Sequence, residues 1–153
     1  ALPLVFNKRT GMNVRQVEAL AYREKPGLLI LDHLGLLEPP EARLSLYEAT
    51  TRNSRALKLL ALRLNIPVLC LCQLNRAAAS DRSGSFRATM ANLRESAIEQ
   101  DADTVTLLHN PPCETGERME SPSLLELWLD KNRRGATGHV DATFYKVTGR
   151  VTA

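Results

Sequence analysis

Between Asn13 and Lys25, the apolar residues Val14, Val17 and Ala21 fall at helical spacing. Asn13 stands where an N-cap belongs, and Pro26-Gly27 form a stop. The rhythm then changes. Leu28-Leu29-Ile30-Leu31 is a short unbroken apolar run closed by Asp32, the pattern of a parallel strand buried on both faces. From Glu41 to Leu64 the helical period returns. Leu46, Ala49, Leu57, Leu60, Ala61 and Leu64 line one side, and Arg52, Arg55, Lys58 and Arg63 the other. Ile66 to Cys72 is a second apolar run, ending at Gln73.

The second half is less regular. Arg76 to Ala91 reads as a loop, and Asn92 to Gln100 as a short helix before a third strand, Thr104 to His109. Asn110 to Pro122 contains three Pro and one Gly, as a surface excursion does. Leu124 to Leu129 and His139 to Val147 alternate in period two. They flank Asp130 to Gly138, whose two glycines predict a hairpin turn. Strand, long helix, strand at this spacing is a βαβ unit. The prediction is an α/β domain with a mostly parallel sheet flanked by helices and an antiparallel C-terminal hairpin.

Composition changes this picture little. The chain has 153 residues, 44% hydrophobic and 24% charged, enough for one domain burying roughly 70% of its unfolded surface. The net charge of +3 does not by itself announce a nucleic-acid binder. Its distribution says more: Arg76, Arg82, Arg87 and Arg94 face one Asp in a stretch rich in Ser, Ala and Gly. Such a segment is either a solvated surface loop or a phosphate-contacting one. Three cysteines without framework spacing predict neither a disulfide scaffold nor a metal site, and fit a reducing cytoplasmic setting. No apolar run approaches the ~18 residues of a membrane span. The chain opens on Ala1 rather than Met, which suggests processing or a fragment.

Ligands of open α/β sheets bind beyond the carboxyl ends of the strands, and Asp32 and Gln73 stand there. A carboxylate in that place can assist a nucleotide-bound Mg²⁺, directly or through a water, or simply cap a strand end. An amide beside it can sense a phosphate. Lys131 and Arg133 lie in the hairpin text Lys131-Asn132-Arg133-Arg134-Gly135-Ala136-Thr137-Gly138. Cations at a hairpin tip either face solvent or reach an anion across a subunit boundary.

Several stretches together resemble the DnaB family of replicative DNA helicases. Leu28 to Leu37 is similar to that family's Walker B segment. Ser54 to Ala61, Leu64 to Val68 and Gln73-Leu74-Asn75-Arg76 resemble its next block. Leu93-Arg94-Glu95-Ser96-Ala97-Ile98-Glu99-Gln100-Asp101-Ala102-Asp103 resembles its L-R-E-S-G-x-I-E-Q-D-A-D signature, and Lys131, Arg133, Gly135 and Gly138 its K-x-R-x-G-x-x-G turn. The resemblance implies a RecA-like ATPase core acting in a homo-hexamer that unwinds duplex DNA 5′→3′. It implies ATP and Mg²⁺ as cofactors, single-stranded DNA as track, and a primase and a helicase loader as partners, in a bacterial or phage-encoded setting. Asp32 would assist Mg²⁺, Gln73 would sense the γ-phosphate, and Lys131 and Arg133 would meet the neighbouring subunit's ATP. Arg94, Glu95 and Ser96 would track the DNA backbone, with Arg76, Arg82 and Arg87 in the other DNA-facing segment.

Departures from the family pattern matter as much. Ser96 runs straight into Ala97 where the family has Gly, His33 replaces a Tyr, and Ala136 stands where Pro is common. No G-x-x-x-x-G-K-[ST] occurs, and the strand carrying the family's catalytic Glu is missing. The chain thus reads as one partial RecA-like domain, residues 1–153, incomplete at its front and expected to hydrolyse ATP negligibly by itself. A longer natural protein is the favoured explanation, ahead of a differently closed sheet or a second chain filling the gap. The rival function is a degenerate, non-catalytic paralogue that binds DNA or helicase rings. A recombinase-type RecA relative fits the Arg-Glu-Ser and Ile-Glu-Gln-Asp-Ala-Asp text less well.

Overall fold

The computed structural model describes residues 3–39, 41, 43–74, 89–90, 93, 96–111 and 122–153, with the side chains of 96 and 97 outside that set. The chain forms two compact units, Ala1–Gln73 and Leu74–Ala153.

In the first unit, α1 (Val14–Glu24) begins at Asn13 through a reciprocal capping box. The Gln16 amide donates to Asn13 Oδ1 and the Asn13 amide to Gln16 Oε1, both at 3.0 Å. It ends at Lys25 in the left-handed conformation, directly before Pro26. Strand β1 (Leu29–Leu31) pairs in parallel with β2 (Val68–Cys70), Leu29 opposite Val68 and Leu31 opposite Cys70. Between them runs α2 (Leu46–Leu64), which packs on β2 and on the 3-10 turn Leu34–Leu36. This is the βαβ unit expected.

Two expectations are corrected here. The long helix starts at Leu46, not Glu41. Ser45 caps it in a second box with Glu48, and Arg43 just upstream has φ 78°, a value no helix continues through. Leu46 therefore sits in the first turn and is exposed, while Thr50, Asn53 and Ser54 take buried places. Asn53 earns its burial by donating to the carbonyls of Leu37 and Glu38, at 3.3 and 3.4 Å. Nor are the two strands covered on both faces. Ile30 and Leu69, opposite each other on one face, remain 55% and 53% exposed.

The second unit is an antiparallel sheet in the order β3 (Thr104–His109), β4 (Ser123–Asn132), β5 (Gly138–Tyr145), β6 (Arg150–Thr152). Strand β3 alternates strictly, with Val105, Leu107 and His109 buried. Leu93, Val105 and Leu107 form the core, and Ile98 and Ala102 from the short helix α3 (Ser96–Asp101) and its exit pack on it with Trp128. Strand β6 is not predicted by the period-two pattern. It forms because Gly149, at φ 67°, closes a tight turn after Tyr145.

The β3–β4 register slips between Val105 and Thr106. Thr106 faces Leu129, while Val105 faces Lys131, so Asp130 is the extra residue of a bulge. A side-chain period of two means one inserted residue exchanges the faces beyond it. Lys131 is thereby carried to the side of Val105, where α3 packs.

Candidate functional site

Asp32 directly follows β1 and is exposed; its peptide bond to His33 is cis. Two backbone bonds bracket it. The Leu71 amide donates to the Leu31 carbonyl at 3.0 Å, and the Leu34 amide to the Leu71 carbonyl at 2.9 Å. The ladder thus runs past Asp32 and holds the chain at the sheet's carboxyl end. Gln73, also exposed, stands two residues beyond Leu71 at the same end. A carboxylate here offers the hard oxygen donor that suits a Mg²⁺ held chiefly by phosphate and water, so the residue type fits such an ion. Cys70 close by does not join that chemistry. Its contact with the Cys72 thiol, then burial, push its pKa far above the neutral range, so it stays a thiol.

The two hairpin cations prove to have different settings. Lys131 belongs to β4 rather than to the hairpin tip, and is half-buried; its Nζ donates to the Glu99 carbonyl. Arg133 opens the turn and is exposed. Its amide donates to the Asp103 carbonyl at 2.9 Å, its Nη2 to the Gln100 carbonyl, and its Nη1 lies 3.4 Å from Asp103 Oδ1. Asn132 shapes the turn, accepting from the Arg134 amide at 3.2 Å and donating to the Ala136 carbonyl at 3.1 Å. Of the residues expected to face DNA, Arg76, Arg82, Arg87, Arg94 and Glu95 lie outside the described residues. Ser96 is the first residue of α3.

Sequence reasoning missed a polar cluster on β3, β4 and β5. His109 and Glu126 are register partners, His109 Nδ1 donating to Glu126 Oε2 at 2.7 Å. Trp128 Nε1 donates to the same oxygen at 3.0 Å, and the indole stacks on His139 at 4.3 Å. The bonds from His109 and then Trp128 hold the Glu126 carboxyl below its usual range. A depressed folded pKa adds stability above the unfolded value of ~4.3, and that stability is lost as pH falls through the folded value. Glu126→Leu removes the acceptor that both donors share, and is expected to cost about 1–3 kcal/mol at neutral pH and less in acid. Urea unfolding followed through Trp128, the single tryptophan, reads this directly. Equal losses at neutral and acid pH would contradict it.

Among the described residues, no helix is long and apolar enough to cross a membrane, and no group of three or more His, Cys, Asp or Glu is placed to hold a metal.

Residues 1–152 match the family described as DnaB-like helicase C terminal domain. A probable plasmid replicative DNA helicase of Chlamydia psittaci is 35% identical over 95% of this chain and 32% of its own length. The replicative DNA helicase DnaB of Leifsonia xyli is 36% identical over 97% of this chain and 33% of its own length. The chain therefore spans about a third of these curated relatives. Among solved structures, a DnaB-like replicative helicase described with its interactions with primase superposes with a TM-score of 0.86 at 29% identity, covering 95% of this chain and 37% of that one. The ATPase domain of G40P gives 0.83 at 30% identity, covering 93% and 51%.

Proposed function

The chain belongs to the DnaB-like helicase C-terminal domain family, and on that premise we propose that it is the rear part of the ATP-driven motor of a ring-shaped replicative DNA helicase. The observation that carries this reading is the placement of Asp32 and Gln73 at the carboxyl end of the parallel pair β1–β2, where α/β sheets receive ligands. Asp32 would assist the nucleotide's Mg²⁺, directly or through a water, and Gln73 would sense the γ-phosphate. Lys131 and Arg133 approach the nucleotide of a neighbouring copy in a hexamer, and Arg76, Arg82, Arg87, Arg94, Glu95 and Ser96 face single-stranded DNA. Bound Mg²⁺ supplies charge neutralisation on the phosphates. The phosphate cradle comes from residues other than these 153, because no glycine-rich loop ending in Lys-Ser or Lys-Thr occurs among them. Primase is a proposed partner, supported by the similar helicase whose structure was described with its primase interactions; a helicase loader and a cytoplasmic setting follow from the same family reading.

The test is Mg²⁺-dependent ATP hydrolysis and 5′→3′ unwinding by the full product of the gene. Asp32→Ala is expected to lower turnover about 10- to 100-fold, as losing an outer-sphere metal partner does. The 153 residues alone should hydrolyse ATP negligibly. A full product that binds DNA without hydrolysing ATP would make this a non-catalytic binding module instead.

A further inference from the structure

We propose that Asp103 is a positioning residue for Arg133, and that the bonds from Lys131 and Arg133 to the carboxyl end of α3 make this short helix the link between DNA and nucleotide. The inference rests on the functional reading above and deepens it. Glu99 and Gln100 lie among the last residues of α3, whose carbonyls have no acceptor role within the helix. Both are taken by the hairpin cations: Glu99 by Lys131, Gln100 by Arg133. The bulge at Asp130 is what brings Lys131 to that side. Arg133 is held further at Asp103, by its amide on the Asp103 carbonyl and by Nη1 at 3.4 Å from Oδ1.

A guanidinium has five donors in a rigid fork. The bonds to Gln100 and Asp103 engage Nη2 and Nη1 and orient the group, leaving further donors for an anion. At its other end α3 begins at Ser96, directly after Arg94-Glu95 in the chain. The carbonyls that hold both cations thus lie in a helix of six residues that follows the Arg94-Glu95 text directly in the chain. Arg133 and Asp103 are both about half exposed, at 47% and 57% of the side chain. Their ion pair therefore contributes little to stability, and replacing Asp103 tests orientation rather than folding.

Coupling between two ligands is reciprocal, so it can be read without turnover. Affinity of the full gene product for an oligothymidylate is measured with and without Mg²⁺ and a non-hydrolysable ATP analogue. Asp103→Asn is expected to cut the analogue-induced tightening about tenfold, with the analogue's own affinity in the absence of DNA changing less than about twofold. Asp103→Glu should restore much of the tightening, and the melting temperature should hold in both variants. Asp103→Asn added to Arg133→Ala should lose no more than Arg133→Ala alone. The proposal is overturned if Asp103→Asn keeps the full tightening, if the two losses multiply, or if the unaltered protein shows no tightening. Arg133→Ala separates the two levels. If it leaves both tightening and hydrolysis intact, the nucleotide role of Arg133 itself fails. If it abolishes them while Asp103→Asn does not, only the positioning role fails.

Discussion

Arg133→Ala in the full product of the gene is expected to lower DNA-stimulated ATP hydrolysis about 10³-fold or more, the range over which arginine fingers act on phosphoryl transfer. The loss should fall on kcat, with KM for ATP little changed, because the charge that Arg133 is proposed to meet grows in the transition state. Misfolding would not account for it. Arg133 sits exposed in a turn, and its pair with Asp103 is of the surface kind whose removal costs about 0–1 kcal/mol. Arg133→Lys should recover only part of the rate, since an ammonium keeps the charge and loses the planar fork.

The trans assignment has its own check. Asp32→Ala and Arg133→Ala subunits are each impaired, but mixing them creates interfaces that unite an intact Asp32 with an intact Arg133 from the neighbour. Recovery of hydrolysis on mixing supports action across the boundary. Absence of recovery in rings that do exchange subunits would place Arg133 on its own subunit's nucleotide.

What the sequence made legible follows the range of the forces involved. Helix α1 was readable to its caps because Asn13, Gln16 and Pro26 act within one turn. The start of α2 was equally local. Amphipathic spacing alone extends the helix back to Glu41, whereas the capping box Ser45-x-x-Glu48 marks its true start. The apolar runs at Leu28 and Ile66 were over-long as strands, since an apolar run declares burial but pairing needs a neighbour. Among the described residues the register pairs are Leu29–Leu31 with Val68–Cys70, and single backbone bonds to Pro67 and Leu71 continue the ladder at its ends. Asp32 and Gln73 were found as polar residues closing such runs.

The contacts around Lys131 and Arg133 were not legible. The bulge at Asp130 exchanges faces in a way no periodicity records. The bonds to Glu99, Gln100 and Asp103 join positions about thirty residues apart in the chain. The His109–Glu126 pair was hidden for the same reason, being a product of antiparallel register.

Leu60→Ala is expected to be among the most destabilising single truncations in the first unit, at about 2–5 kcal/mol. Leu60 is the one large side chain among the described residues with no exposed surface. It lies on α2 three residues from Leu57, itself buried, in the unit whose core also holds Val14, Val17, Leu34, Leu37 and Ala49. Truncation forfeits the transfer of three carbons and leaves a void that a close-packed core fills poorly. Whole domains are stable by only ~5–15 kcal/mol, so a loss of this size is a large share.

The measurement is urea unfolding followed by circular dichroism at the helical band. Within these 153 residues that signal reports mainly the first unit, because among the described residues α1 and α2 contribute 11 and 19 helical residues against 6 in α3. Leu62→Ala is the matched control, the same change on the same helix at a side chain 63% exposed, where the loss should stay within about 0.5 kcal/mol. Equal effects at the two positions would mean that α2 does not bury the face assigned to it. The parallel pair that presents Asp32 and Gln73 would then lack the support described for it. A large loss at Leu60 alone ties the sheet end, and the chemistry placed on it, to the packing of one helix face.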